Sequence, residues 1–249
     1  MGLLYLIIMF CLFINFGKFM AWLKRLMLFI KYTIKDIKHE KELARKGKKI
    51  FRAFGLTLFT GPQGSGKTIG MVDYVLNLKK EYPNCKLYSN FDIKGQDGRI
   101  KSLNDLLKKR NGEDGIIFCI DEIQNEFSTA ASRNFPESLL STLTQQRKQR
   151  IHIVASSQVF TRVAKPIREQ CFVVVDCRTF WNRWTRLRAY HADEYNSIID
   201  SNSLDKKRKL HKVWKKSFIQ TDELRSMYDT YEVVKRMSRA GFADTINVR

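Results

Sequence analysis

An α/β fold, with a mainly parallel sheet flanked by helices and an N-terminal hydrophobic helix ahead of it, is predicted by three features of the sequence. Apolar runs of strand length alternate with amphipathic segments between residues 56 and 176. One run, Leu56 to Thr60, leads directly into Gly61-Pro62-Gln63-Gly64-Ser65-Gly66-Lys67-Thr68. A second, Gly115 to Ile120, is unbroken by polar residues and ends on Asp121 and Glu122. Continuous apolar strands are covered on both faces, which is the condition of a parallel sheet between helix layers. The predicted order is strand 56–60, helix 67–80, strand 85–89, helix 102–110, strand 115–120, helix 137–148, strand 151–156 and strand 171–176. Such alternation places ligands at the carboxyl edge of the strands.

The strand ending at Thr60 is followed by Gly-x4-Gly-Lys-Thr, the phosphate-binding loop of P-loop nucleotidases. Glycines let successive N–H groups of Gly61, Pro62, Gln63, Gly64, Ser65 and Gly66 (the imino Pro62 excepted) turn toward a polyphosphate. Lys67 reaches the β- and γ-phosphates, the Thr68 hydroxyl is a Mg²⁺ ligand, and the following helix adds its positive end. A chance glycine-rich turn lacks this strand-before, helix-after context. ATP with Mg²⁺ is therefore the expected cofactor pair.

Asp121 and Glu122 at a strand end diverge in direction, so Asp121 is expected to hold Mg²⁺ through water and Glu122 to polarise the attacking water. The bland account is that these acids simply begin a helix. A further strand, Ile151 to Ser157, ends on Gln158, whose amide can donate to a phosphate oxygen and accept from water. Gln158 is thus expected to sense the γ-phosphate, against the plainer reading of a polar strand terminus. Arg147 and Arg150, near the end of the helix before that strand, are candidates to enter a neighbouring subunit's site, and Arg168 is another.

Taken together, Thr60 to Thr68, Tyr88-Ser89-Asn90, Ile120-Asp121-Glu122-Ile123-Gln124-Asn125, Gln146-Arg147-Lys148, Ser157-Gln158 and Ile167-Arg168 resemble the zonula occludens toxin-like (Zot) assembly ATPases of filamentous phages. They are also similar to the wider FtsK/HerA group, which includes genome-packaging ATPases of membrane-containing viruses. The resemblance covers residues 54 to 177. It implies a RecA/FtsK/HerA-like P-loop NTPase fold and an ATP-driven homo-oligomeric ring, expected as a hexamer. It also implies action in virus or phage morphogenesis, on DNA by packaging or translocation or on a virion by assembly and extrusion. Here the hydrophobic segment precedes the core, the order found in membrane-tethered DNA translocases, so packaging, plasmid-type transfer and extrusion all stay open. A nucleotide-regulated membrane scaffold with negligible turnover is the reading from another class.

The formal charge of +20 lies mostly outside the core: residues 1–53 carry +9, 54–177 carry +4, 178–190 carry +4, 191–200 carry −3, 201–220 carry +6 and 221–249 balance to zero. Such fields favour DNA or anionic lipid as partners. Leu3 to Phe16 contains no charge and is short for a spanning helix unless Gly17 to Leu23 extend it. From Lys18 to Lys38 the pattern turns amphipathic, Lys24, Arg25, Lys31, Lys35 and Lys38 lying largely opposite Phe19, Leu23, Leu26, Phe29 and Ile30. That suits a helix on an anionic bilayer, with the core on the cytoplasmic face of the host inner membrane, or on a virion membrane for a packaging enzyme. A core helix buried against the domain is the alternative. Four segments follow: a membrane anchor and basic amphipathic helix (1–37), a charged tether (38–53), the ATPase core (54–200), and a basic loop with a C-terminal helix (201–249).

Five dispersed cysteines and four dispersed histidines predict neither a zinc site nor nucleophilic catalysis, and the thiols read as buried and reduced. Arg178 to Tyr190 reads as a hairpin tip and return strand in which arginine alternates with tryptophan, suited to phosphate contact and base stacking or to packing on a neighbouring subunit. Lys206 to Lys216 reads as a basic loop. Asp222 to Arg239 reads as a terminal helix capped by Thr221.

Overall fold

The computed structural model describes residues 2–45, 47, 49–126, 145–200 and 210–229, with the side chains of 2–15, 103–104, 126 and 199–200 left aside. It divides into two units, residues 1–50 and 51–249. The first is a single helix, α1 (Gly2–Arg45), which runs without a break through both the expected anchor and the first part of the expected tether. Large apolar side chains stand exposed along it, among them Phe19, Trp22, Met27, Phe29, Ile34 and Ile37. Among the described residues, no helix is long and apolar enough to cross a membrane; the uncharged run Leu3 to Phe16 falls almost wholly on residues whose side chains lie outside the description.

Among the described residues of the second unit, eight strands form one sheet: β1 (Gly55–Thr60), β2 (Lys86–Ser89), β3 (Gly98–Arg99), β4 (Ile116–Ile120), β5 (Ile151–Ser157), β6 (Cys171–Phe180), β7 (Trp184–His191) and β8 (Lys212–Ile219). Their order is β3-β2-β4-β5-β1-β6-β7-β8. From β3 to β6 all pairings are parallel; β6–β7 and β7–β8 are antiparallel. The expected mainly parallel sheet is therefore present, extended by a three-stranded antiparallel flank. The helices among the described residues are α2 (Lys67–Glu81), α3 (Leu103–Lys108), α4 (Ile123–Glu126), α5 (Gln146–Gln149), α6 (Lys165–Glu169), α7 (Ala192–Asp200) and α8 (Asp222–Arg225).

Strand alternation divides the apolar residues between two layers. Leu58, Phe118, Ile153 and Val174 face one side with Leu106 of α3, Ile167 of α6 and Tyr195 of α7. Phe59, Cys119, Val154 and Val175 face the other with Met71, Val72 and Val75 of α2. Each such side chain contributes about 1.5–3 kcal/mol by leaving water, and two-sided coverage explains why these strands read as unbroken apolar runs. His152, at the start of β5, is buried with Nδ1 3.0 Å from the Gly55 carbonyl and Nε2 3.3 Å from the Tyr74 hydroxyl. Burial pushes its pKa down to about 4, while hydrogen bonds to the Gly55 and Phe54 backbone oppose the shift. Cys85, Cys119, Cys171 and Cys177 are free and buried, and burial pushes the thiols of Cys85 and Cys171 up to about 11 and about 12.

Three elements differ from the sequence reading. The segment read as a basic loop holds β8: Trp214, Lys216 and Phe218 turn inward by alternation while Lys215, Ser217 and Ile219 face out. Trp214 stacks on Tyr74 of α2 at 6.0 Å and Lys216 pairs with Asp73. β6 continues to Phe180, so the hairpin tip lies at Trp181–Arg183 rather than starting at Arg178. Of the helix expected at Asp222 to Arg239, residues 230–239 lie outside the described residues, and Asp222–Arg225 forms one turn. Thr221 caps it, accepting from the Leu224 N–H at 3.2 Å, but after Arg225 the chain turns and Tyr228 bridges to Ile93. Most of the helix expected at 137–148 lies outside the described residues; Gln146–Gln149 forms its helical turn.

Candidate functional site

The loop Gly61–Gly66 leaves the carboxyl end of β1, the central strand, and α2 begins at Lys67. Two glycines are required by contact as well as by φ. A Cβ on Gly61 (φ 151) would lie 2.6 Å from Ser65 Oγ and 2.9 Å from the Cys177 carbonyl. One on Gly66 (φ 82) would strike the Thr179 hydroxyl. Lys67 is buried and its ammonium donates to the Pro62 carbonyl at 3.1 Å, curling over the loop. Ser65 Oγ is buried with no hydrogen-bond partner. An orphaned donor in the glycine-rich loop that opens α2 fits an anion.

The acids arrive from β4. Thr68 Oγ1 is 3.2 Å and 3.3 Å from the two Asp121 carboxylate oxygens, so a hydroxyl and a carboxylate converge as hard oxygen donors. Burial raises the Asp121 pKa and neighbouring Glu122 adds to this; hydrogen bonds from Ser156 and Thr68 and the charge of Lys67 oppose it. Ser156 serves both acids: its hydroxyl donates to Asp121 Oδ1, and its oxygen accepts the Glu122 N–H at 2.9 Å. That second bond holds Glu122 in the left-handed region, φ 53, which is costly for a side chain of its size. The Glu122 carboxylate accepts from the Gln124 amide.

Gln158, just beyond β5, lines a cleft of 770 Å³ with Thr60, Gly61, Pro62, Gln63, Gly64 and Ser65. The loop, Lys67, Thr68, Asp121, Glu122 and Gln158 thus gather at one edge of the sheet. Arg147 and Arg150 do not. Arg147 lies 5.6 Å over Phe54, and Arg150 donates to the Phe51 and Glu113 carbonyls, at the amino ends of the strands. The length of β5 separates them from their own phosphate loop by about 20 Å. Arg168 donates to the Val163 carbonyl at 3.0 Å and sits over Phe160.

A family model described as Zonular occludens toxin (Zot) matches residues 55–220. The chain belongs to the Zot family. As such it is a P-loop ATPase with a nucleotide-binding site, and the matched span ends just past β8, the strand that closes the sheet. The N-terminal domain of zonular occludens toxin from Neisseria meningitidis is similar in fold, with TM-score 0.51 and 20% identity over 70% of this chain and 98% of that one. The genome packaging NTPase B204 from Sulfolobus turreted icosahedral virus 2, solved with sulfate, aligns with TM-score 0.43 and 14% identity over 66% of this chain and 95% of that one. No curated protein matches the sequence.

Sequence reasoning missed the supports of this Zot site. Thr179 of β6 donates to the Ser65 carbonyl at 3.0 Å and meets Thr185 of β7 at 3.0 Å. Gln220 donates to Thr185 at 2.7 Å, and Arg225 in turn donates to the Gln220 carbonyl oxygen Oε1. The phosphate loop is therefore braced by the antiparallel flank. Asn90 and Ser156 carry a sequence signal of a kind: they sit at the carboxyl ends of β2 and β5, where an apolar run turns polar.

Proposed function

We propose that the chain is a membrane-associated, Mg²⁺-dependent ATPase motor of virus or phage morphogenesis, working as a homo-oligomeric ring on DNA by packaging or translocation, or on the virion by assembly and extrusion. The observation that carries this reading is the convergence of Lys67, Thr68, Asp121 and Glu122 in a chain that also bears a basic helix with a long exposed apolar row. Thr68 and Asp121 would hold Mg²⁺, which supplies neutralisation of phosphate charge. Lys67 holds the polyphosphate, Glu122 orients and deprotonates water, and Gln158 reads the γ-phosphate from the facing wall of the cleft. Arg147, Arg150 or Arg168 would serve a neighbour's site in the ring. The apolar row of α1, flanked by Lys24, Lys31, Lys35 and Lys38, suits the cytoplasmic face of a host inner membrane or a virion membrane.

The test is ATP hydrolysis by the detergent-solubilised full chain with and without single- and double-stranded DNA, Lys67→Ala being the blank. Turnover stimulated by DNA supports a DNA motor, and turnover indifferent to DNA shifts the cargo to the virion. No turnover above the blank, in oligomeric protein with Mg²⁺, returns the reading to a scaffold.

A further inference from the structure

The antiparallel flank has two unlike faces. One packs on α2 through Cys177, Leu187 and Ala189. On the other, three cross-strand rows follow from the register: Phe180–Trp184–Ile219, Arg178–Arg186–Ser217 and Asp176–Arg188–Lys215. The first row is exposed, and Trp181 at the tip is 82% exposed and stacks on Trp184 at 5.9 Å. Arg186 lies 5.1 Å over Phe180. Arg178 directly opposes Arg186, and Arg188 opposes Lys215.

Like charges directly opposed across strands destabilise a sheet, and exposed indoles contribute nothing to the core. Acidic neighbours offset the charge only in part: Asp176 reaches Arg178 at 3.7 Å, and Asp222 pairs with Arg183 at 2.7 Å. The arrangement is complementary to a polyanion that also carries flat apolar rings. We propose that this face, from Trp181 through Arg186 and Arg188 to Lys215, binds single-stranded nucleic acid, the indoles stacking on unpaired bases and the cations tracking phosphates. Base faces are inaccessible in a duplex, so stacking selects the single strand. An anionic membrane offers charge but no rings for the indoles to stack on. The inference deepens the reading of the chain as a DNA motor and rests on it, yet binding is measured without nucleotide and so stands or falls apart from hydrolysis.

The experiment titrates full-length protein in detergent with a fluorescein-labelled oligothymidylate, recording anisotropy and quenching of indole emission over a salt series. Trp181→Ala removes no core contact and is expected to weaken binding about 5- to 100-fold and to abolish most quenching. Trp22 of α1 is also exposed, so quenching is read in a Trp22→Phe background, where the part that depends on Trp181 reports the tip and binding by the basic α1 does not mask it. Arg186→Ala/Arg188→Ala/Lys215→Ala is expected to reduce the slope of log K against log salt by about 2, at ~0.7 per phosphate contact. Unchanged quenching and slope in variants that melt like the parent would overturn the proposal. So would duplex bound as tightly as single strand with no dependence on Trp181. Loss of phosphatidylglycerol-vesicle binding, or a changed oligomeric state, with oligonucleotide affinity intact would assign the face to lipid or to a second copy instead.

Discussion

Asn90 and Asp121 are joined through the backbone of the acid and the side chain of the amide: the Asp121 N–H donates to Asn90 Oδ1 at 2.9 Å, and Asn90 Nδ2 donates to the Asp121 carbonyl at 3.0 Å. The strand-end carboxylate is thereby clamped without using either carboxylate oxygen, which stay turned toward Thr68. Asn90→Ala removes both bonds and leaves two partly buried backbone groups unpaired. The expected loss is about 1–3 kcal/mol of stability, read by urea melts, with a fall in turnover at saturating ATP larger than any rise in KM.

Burial holds the Asp121 carboxyl above the usual carboxylate range, so the site is maintained at the expense of the resting fold. A carboxyl whose folded pKa is raised contributes no penalty below its unfolded value; the penalty grows as pH rises from the unfolded to the folded value and is complete above it. Asp121→Asn, which keeps the acceptor for Ser156 and Thr68, is therefore expected to raise the melting temperature of nucleotide-free protein at pH 7 while lowering hydrolysis about a hundredfold or more. Equal melting temperatures at pH 7 would contradict the argument.

Glu122→Gln preserves shape and the backbone bond to Ser156 but removes the base. Nucleotide affinity, followed with a fluorescent ATP analogue, is expected to stay within a few-fold of the parent, while turnover falls about 10²–10⁴-fold.

His152 gives the fold an acid limit. Its folded pKa of about 4 lies below the unfolded value of 6.5, so the unfolded chain takes up the proton first. The stability that depends on a neutral His152 is complete above pH 6.5 and is lost progressively as pH falls toward 4, by about 3 kcal/mol. Urea melts at pH 7 and pH 4.5 are expected to show a smaller difference for His152→Gln than for the parent.

The parallel core and its chemistry were legible because each depends on local pattern: β4 is an unbroken apolar run, and the spacing of Gly61, Gly66, Lys67 and Thr68 belongs to one loop. β8 was not legible, since Lys212, Lys215 and Lys216 hide the alternation of Trp214 and Phe218, and only the tertiary pairing of Lys216 with Asp73 makes an inward lysine tolerable. The brace from Thr179 to Gln220 joins residues 41 apart and leaves no periodic trace. Arg147 and Arg150 show the opposite limit: their place near a helix end was readable, but the edge of the sheet they occupy follows from strand direction.

Among the described strands, the one that completes the brace is also the last to be made. At about 5–20 residues per second, the roughly 170 residues between Arg45 and Lys212 take about 10–30 seconds to synthesise. α1, with its uncovered aromatic row, is thus finished long before β8 can dock on α2 and steady the loop at Ser65. Newly made chains therefore carry a finished α1 for about 10–30 seconds before the loop at Ser65 can be braced, by the order of translation alone.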